Sequence, residues 1–242
     1  MAHGNGAFDV AKEPARIRRM FARIVPSYDF LNHLLSAGLD RGWRRATVEA
    51  CAWSRPVVRP WRVLDVCAGT GDLAFEFARA GASVALSDFT REMLLEARSK
   101  GARRGVVVPL SIGDALRLPY ASGSFDAASV GFGIRNVEDL DRGLAEMARV
   151  VRPGGAVAVL ELAQPASGAL RLVYNAYFTR VLPAIGQIVS RSPENAYAYL
   201  PRSVIAFPPP DALAERMRGA GLRDVTWRPL AAGICTLHVG RR

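Results

Sequence analysis

Residues 63–72, VLDVCAGTGD, decide how this chain is built. An apolar run ends in Asp65, and Gly69-Thr70-Gly71 then turns the chain into a helix predicted to begin near Asp72. Glycines let the backbone turn tightly and admit a ligand close to the main chain. In an open α/β sheet, ligands bind beyond the carboxyl ends of the strands, which is where this turn falls. Asp65 adds a negative charge there, suited to the ammonium of a sulfonium amino acid such as S-adenosylmethionine.

A second reading competes. Gly69 to Ala74 formally satisfies G-x-G-x-x-G/A, the fingerprint that seats a pyrophosphate at a helix N-terminus. Asp65 and Asp72 bracket that loop, however, and both charges oppose an anion. Asp88 ends another apolar run, 83–88, where an acid can grip the ribose hydroxyls of either cofactor. The flanking acids favour S-adenosylmethionine over a nicotinamide dinucleotide, and a tight turn without a ligand is the bland alternative.

Working outward, strands are predicted at 61–66, 83–87, 106–111, 125–131 and 156–162. Helices are predicted at 72–80, 90–101 and 139–151, the last stopped by Arg152-Pro153-Gly154-Gly155. This βαβ alternation predicts a doubly wound, mostly parallel sheet. A helix at 210–220 and strands at 222–229 and 234–240 add an antiparallel hairpin, for seven strands in all. Upstream, Ile17, Phe21, Ile24 and Val25 recur at helical spacing among arginines. Pro26 is expected to break that helix, and Tyr28 to His33 to start another toward Trp43. Residues 165–205 leave the repeat and read as a helical insertion over the ligand edge. The expectation is one domain: a helical cap (15–50), a cofactor-binding core (60–165), the insertion (166–205) and closing elements (206–242).

With 242 residues and 50% hydrophobic content, a sizeable core is available. The sequence shows neither the apolar centre of a signal peptide nor a bilayer-length apolar run. Cys51, Cys67 and Cys235 are scattered and odd in number, and His3, His33 and His238 form no ligand-like cluster with them. A reduced, cytoplasmic protein without metal is therefore expected. The formal charge of +10 suits nucleic acid, an anionic membrane surface or mere arginine richness, and does not choose among them.

Three further stretches narrow the reading: YDFLNHLLSAGLDRGWRR (28–45), GFGIRNVEDLDRGLAEMARVVRPGG (131–155) and AYAYLPRSVIAFP (196–208). With VLDVCAGTGD and GICTLHVG (233–240), they make the chain resemble the ubiquinone/menaquinone biosynthesis C-methyltransferases, within the class I S-adenosylmethionine-dependent methyltransferases. The resemblance implies methylation of a ring carbon in a polyprenylated benzoquinol or naphthoquinol, with demethylmenaquinol to menaquinol as the leading case. It also implies cofactor contacts at Thr70, Asp88, Asp114 and Ala115, which join Asp65, Gly69 and Gly71 from the turn. Asp114 has a plain alternative as the cap of a helix, since acids before an Ala-Leu run also cap helices. A serine often found two residues before the glycine of FGIRN is Gly131 here, so any contact through that side chain is absent.

The chemistry asks for alignment, stabilisation of a phenolate and removal of a ring proton. Arg135 is the candidate for the phenolate because guanidinium stays charged; the alternative is that it only fixes its loop or pairs with an acid. Tyr28 is the second catalytic candidate. Asp29, Asn32, His33, Tyr199, Arg202 and His238 are weaker ones, with His238 reading as packing. An apolar exit for the prenyl tail is expected along Tyr174, Tyr177, Phe178, Val181, Leu182 and Ile185, with peripheral contact at the inner face of the membrane. A homodimer is one assembly the chain admits. RNA methylation, or a basic protein that binds S-adenosylmethionine without catalysis, is the alternative. The absence of an Asn/Asp-Pro-Pro-aromatic run and of a Pro-Cys pair argues against nucleic acid as a substrate.

Overall fold

The computed structural model describes residues 13–165, 168–176 and 196–242. Its elements run α1 (Pro14–Leu35), α2 (Asp40–Cys51), β1 (Trp61–Val66), α3 (Asp72–Arg79), β2 (Ala82–Asp88), α4 (Arg91–Arg103) and β3 (Leu110–Ile112). There follow β4 (Phe125–Gly131), α5 (Leu140–Val150), β5 (Val151–Leu162), α6 (Gly168–Ala176), α7 (Ala196–Ala206), α8 (Pro210–Gly219), β6 (Arg223–Leu230) and β7 (Cys235–Arg241). The seven strands lie in the order β3-β2-β1-β4-β5-β7-β6. The first five pair in parallel, and β7 inserts antiparallel between β5 and β6. The expected doubly wound sheet with a closing hairpin is therefore what forms.

Alternation along β1 explains its two covered faces. Trp61 and Val63 pack with α3 and α4 residues, while Leu64 and Val66 pack with α5 and α8 residues on the other face. The strand order reverses between β1 and β4, so the carboxyl ends of these two strands diverge into a crevice. A third apolar cluster joins Ile17, Met20 and Ile24 of α1 to Met93, Tyr174 and Val204, and places α1 across that edge.

Three sequence expectations change. α1 runs unbroken through Pro26. An internal proline costs about 3 kcal/mol, but burying Ile17, Met20 and Ile24 contributes roughly 1.5–3 kcal/mol each and Pro26 itself faces solvent. The helix ends instead at a turn where Ala37 and Gly38 take positive φ of 50° and 76°. Next, Arg152-Pro153-Gly154-Gly155 sits inside β5 and does not precede it. The β4–β5 register shifts between Phe125 and Ala127, and a Cβ at Gly155 would lie 2.4 Å from the Asp126 carbonyl oxygen, so only glycine allows that approach. Last, β3 covers only Leu110–Ile112: the Pro109 carbonyl still accepts from Leu86 N at 2.9 Å, but proline has no N–H to extend the ladder, and Val107 before it is 96% exposed.

Candidate active site

The turn after β1 is shaped by backbone that most side chains resist. Cys67 has φ +51°, Gly69 +55° and Gly71 +85°. A Cβ at Gly71 would press on Leu86 Cδ2 at 2.9 Å and Phe75 Cε2 at 3.0 Å, so this glycine lets the turn seat against β2 and α3. A Cβ at Gly69 would meet only Tyr28 Cε1, at 3.8 Å, because this glycine faces open space. That space is a cleft, open to solvent, at the carboxyl edge of the sheet. Of the candidates named from the sequence, Gly69, Asp88, Asp114, Ala115 and Tyr28 line it. Apolar walls come from Phe21 and from Phe89, Met93, Leu116, Phe132 and Val137.

Asp88 is the acid best built for work. Its carboxylate accepts from Gly69 N at 2.9 Å and from Thr90 N at 2.8 Å, which holds the two loops together. Burial pushes its pKa up, and those amide donors oppose the shift. A carboxylate has about four acceptor positions, so two remain for ligand hydroxyls. Asp114 is exposed at the cleft rim, and its Oδ1 accepts from Leu116 N at 2.9 Å. No helix follows Asp114 directly, so the helix-capping alternative does not hold: the bond closes a turn two residues long, and the second Asp114 oxygen is left for a donor in the cleft.

The remaining candidates sit behind the wall. Asp65 is 1% exposed beneath the turn, bonded to Ser129 Oγ at 2.9 Å. Thr70 is 2% exposed, with its hydroxyl on Asp29 and Lys100. Arg135, in the turn Ile134–Asn136, pairs with Glu161 at 2.6 Å and donates to the Phe132 carbonyl at 2.5 Å and to Ser203 Oγ at 3.3 Å. The pairing alternative considered for Arg135 is thus what the geometry shows. Its field still reaches Tyr28: burial pushes the Tyr28 pKa up, and the Arg135 charge draws it back. Asn136, which does line the cleft, accepts from Tyr199 Oη at 3.1 Å.

Both histidines among the described residues have other work. His33 Nδ1 lies 2.7 Å from Asp40, which also pairs with Arg44. His238 is fully buried against Trp227 and the Pro210 carbonyl, and burial lowers its pKa, so it packs as a neutral ring. Arg202 is exposed. Among the described residues, no group of three His, Cys, Asp or Glu side chains could hold a metal. Of the expected tail contacts, Tyr174 is buried, whereas Tyr177, Phe178, Val181, Leu182 and Ile185 lie outside the described residues.

Sequence reasoning missed Lys100 and Glu161. Both left a signal. Lys100 falls on the inner face of α4, three and seven residues after Ala97 and Met93. Glu161 interrupts the apolar run of β5, where a lone charge needs a buried partner.

The cleft suits a nucleoside with a cationic tail: it has two acids for hydroxyl and amino donors, a glycine with no Cβ in the way and apolar sides. A family model described as the ubiE/COQ5 methyltransferase family matches residues 9–242. A demethylmenaquinone methyltransferase from Deinococcus radiodurans is 48% identical over 93% of this chain and 91% of its own length. One from Thermus thermophilus is 45% identical over 92% and 100%. A ubiquinone/menaquinone biosynthesis C-methyltransferase UbiE from Geobacter sulfurreducens is 41% identical over 97% and 91%. Among solved structures, an S-adenosylmethionine-dependent methyltransferase from Thermotoga maritima, described as a possible histamine N-methyltransferase, superposes with a TM-score of 0.62. It is 20% identical and covers 92% of this chain and 98% of its own, a likeness of fold alone.

Proposed function

The chain belongs to the ubiE/COQ5 methyltransferase family, and on that premise we propose that it methylates a ring carbon of a polyprenylated quinol, with demethylmenaquinol as the acceptor. It is an S-adenosylmethionine-dependent C-methyltransferase of quinone biosynthesis. One observation carries the choice of acceptor. Identity of 45–48% with demethylmenaquinone methyltransferases runs over 92–93% of the chain, and so through the covering helices as well as the shared sheet. Of those helices, α1 walls the cleft through Pro14, Phe21 and Tyr28. The whole chain from the cap through the closing strands is accordingly read as one methyltransferase domain.

Bound S-adenosylmethionine supplies an electrophilic methyl on a sulfonium. Asp88 would accept from its ribose hydroxyls and Asp114 from its adenine amino group, with Ala115, Leu116 and Val137 against the base. Gly69 leaves the main chain open to it, while Thr70 and Gly71 hold that backbone in shape. The acceptor must be the reduced quinol, because a hydroxyl pushes electron density onto the adjacent ring carbon and a quinone carbonyl withdraws it. Tyr28 stays a phenol at neutral pH, since burial raises its pKa, and so can donate a hydrogen bond to the acceptor oxygen. Arg135 acts from behind by fixing the Phe132–Asn136 loop and biasing the potential at Tyr28. Alignment of acceptor and donor is the largest contribution such a site makes, about 7–11 kcal/mol in well-oriented systems.

No helix among the described residues is long and apolar enough to cross a membrane. Exposed Phe30, Leu172 and Ile205 on the covering helices, together with exposed Arg16, Arg18 and Arg202 on two of them, support a peripheral contact through which a prenylated substrate enters. Both walls of the cleft come from one chain, so the chemistry does not require a homodimer.

Asp88→Asn should weaken cofactor affinity about 10–100-fold, the equivalent of one hydrogen bond to a charged group at roughly 1.5–3 kcal/mol. Calorimetric titration with S-adenosylhomocysteine measures this, and an unchanged affinity would remove Asp88 from the cofactor site. The function itself is tested by methyl transfer from radiolabelled S-adenosylmethionine to reduced demethylmenaquinol, to its benzoquinol counterpart and to bulk tRNA. Label in demethylmenaquinol and none in tRNA is expected. Label in neither quinol, from protein that binds the cofactor, defeats the acceptor assignment.

A further inference from the structure

Three elements meet behind the cofactor turn at a single hydroxyl. Thr70 Oγ1 donates to Asp29 Oδ1 of α1 at 2.5 Å and accepts from Lys100 Nζ of α4 at 3.0 Å. Lys100 pairs directly with Asp29 as well, and with Asp72 Oδ1 at the start of α3 at 2.9 Å. Arg44 and Arg104 approach Asp72 at 3.8 and 3.7 Å. Lysine is almost never buried this deeply unless paired, yet Lys100 is only 5% exposed. Burial alone would raise the Asp72 pKa, but Lys100 and Arg44 hold it below the ordinary carboxylate range, so Asp72 stays charged.

The position of this cluster gives it a role beyond stability. Gly69 presents its open side to the cleft, and the neighbouring Thr70 side chain points the other way, into the cluster. On α1, the cleft-lining residues Pro14, Phe21 and Tyr28 recur every seven residues along one face, and Asp29 follows Tyr28 directly. One lysine thus holds both the backbone that meets the cofactor and the helix that walls it in.

We propose that Lys100, acting through Thr70 and Asp29, is a positioning residue that couples the shape of the cofactor turn to the seating of α1 over the cleft. The proposal rests on the reading of the Gly69–Gly71 turn as the S-adenosylmethionine site. Where only a fraction of molecules has the competent turn and seated helix, apparent affinity falls by that fraction. By reciprocity, the cofactor product holds α1 down. A role confined to stability predicts otherwise, with less folded protein and lower kcat but unaltered affinity per folded molecule.

The test uses the full chain and Lys100→Met, Lys100→Arg and Thr70→Val. S-adenosylhomocysteine affinity, KM and kcat are measured, along with the rate of tryptic cleavage at exposed Arg16 and Arg18 of α1 with and without S-adenosylhomocysteine. In the unaltered protein, S-adenosylhomocysteine should slow cleavage. Lys100→Met should weaken its binding tenfold or more, with the loss falling on KM more than on kcat, and should cancel the protection. Lys100→Arg should recover part of both. Thr70→Val, which deletes only the hydroxyl that joins the three elements, should weaken binding at least threefold, and it carries the test alone if Lys100→Met does not fold. Affinity within twofold of the unaltered protein in the folded variants, or a loss confined to kcat, overturns the proposal. Failure of the unaltered protein to bind S-adenosylhomocysteine instead overturns the cofactor reading and this proposal with it.

Discussion

Glu161→Ala is expected to destabilise the protein by about 3–5 kcal/mol, the usual cost of stranding a buried charge. Glu161 is 1% exposed in β5 and Arg135 is 7% exposed in the loop after β4. Their 2.6 Å ion pair is backed by Arg135 N at 3.4 Å and Leu162 N at 2.9 Å, both donating to the same carboxylate. Removing it leaves a guanidinium with one carbonyl and one hydroxyl for company, beside a Phe132 backbone already at φ +61°. That loop carries Phe132 and Asn136 into the cleft, so methyl transfer should fall with stability. A double-mutant cycle with Arg135→Met separates the two effects. The double variant should be more stable than the sum of the single losses allows, because it strands neither charge. It should stay far less active than the unaltered protein, because nothing then fixes the loop. Denaturant unfolding and initial rates measure both. Full activity in the double variant would show that Arg135 contributes only to packing.

The parts of this molecule that the sequence disclosed are those governed by local rules. Glycine placement, apolar alternation and the acids at the strand ends predicted the sheet and put Asp88 and Asp114 at its ligand edge, whereas Ala115 and Tyr28 came only with the family resemblance. What local rules could not supply was which way a side chain points once three elements converge. Asp65 and Asp88 both fall near the ends of apolar strands, yet one lies under the turn and the other lines the cleft, because Asp65 registers with Leu86, two residues short of Asp88 on the same face, and so sits one step deeper in the sheet. Arg135 looked free for substrate because its partner Glu161 is 26 residues away in another strand. Pro26 and the 152–155 stretch misled for one reason: each breaks a local pattern that tertiary packing is strong enough to override.

Asp65→Asn should stabilise the cofactor-free protein at alkaline pH while weakening cofactor binding. Burial pushes the Asp65 pKa from 3.8 to about 7, against the pull of Ser129, the Ala74 amide and Arg44, and Asp88 adds to the rise. A carboxyl whose pKa is higher folded than unfolded favours the fold most below its unfolded value. That contribution disappears as pH rises through about 7. Above that point the unaltered protein carries an ill-solvated charge that asparagine lacks. The interval of about three pH units, at roughly 1.4 kcal/mol each, bounds the gain near 4 kcal/mol. The new amide must find its own partners, so about 2–4 kcal/mol is expected at pH 8.5, less than half of that at pH 5, and none below the unfolded value of 3.8. The cost to the chain makes sense only if the charge is used. A cationic ligand near the turn favours the ionised form, so S-adenosylmethionine binding should tighten as pH rises from 6 to 8 and release protons near neutrality. Both trends should vanish in Asp65→Asn. Unfolding at the two pH values, and calorimetry in buffers of different ionisation enthalpy, read the two halves separately. Binding that is independent of pH in the unaltered protein would leave Asp65 as a strut for Ser129 and the first turn of α3, and would take the cofactor's ammonium away from it.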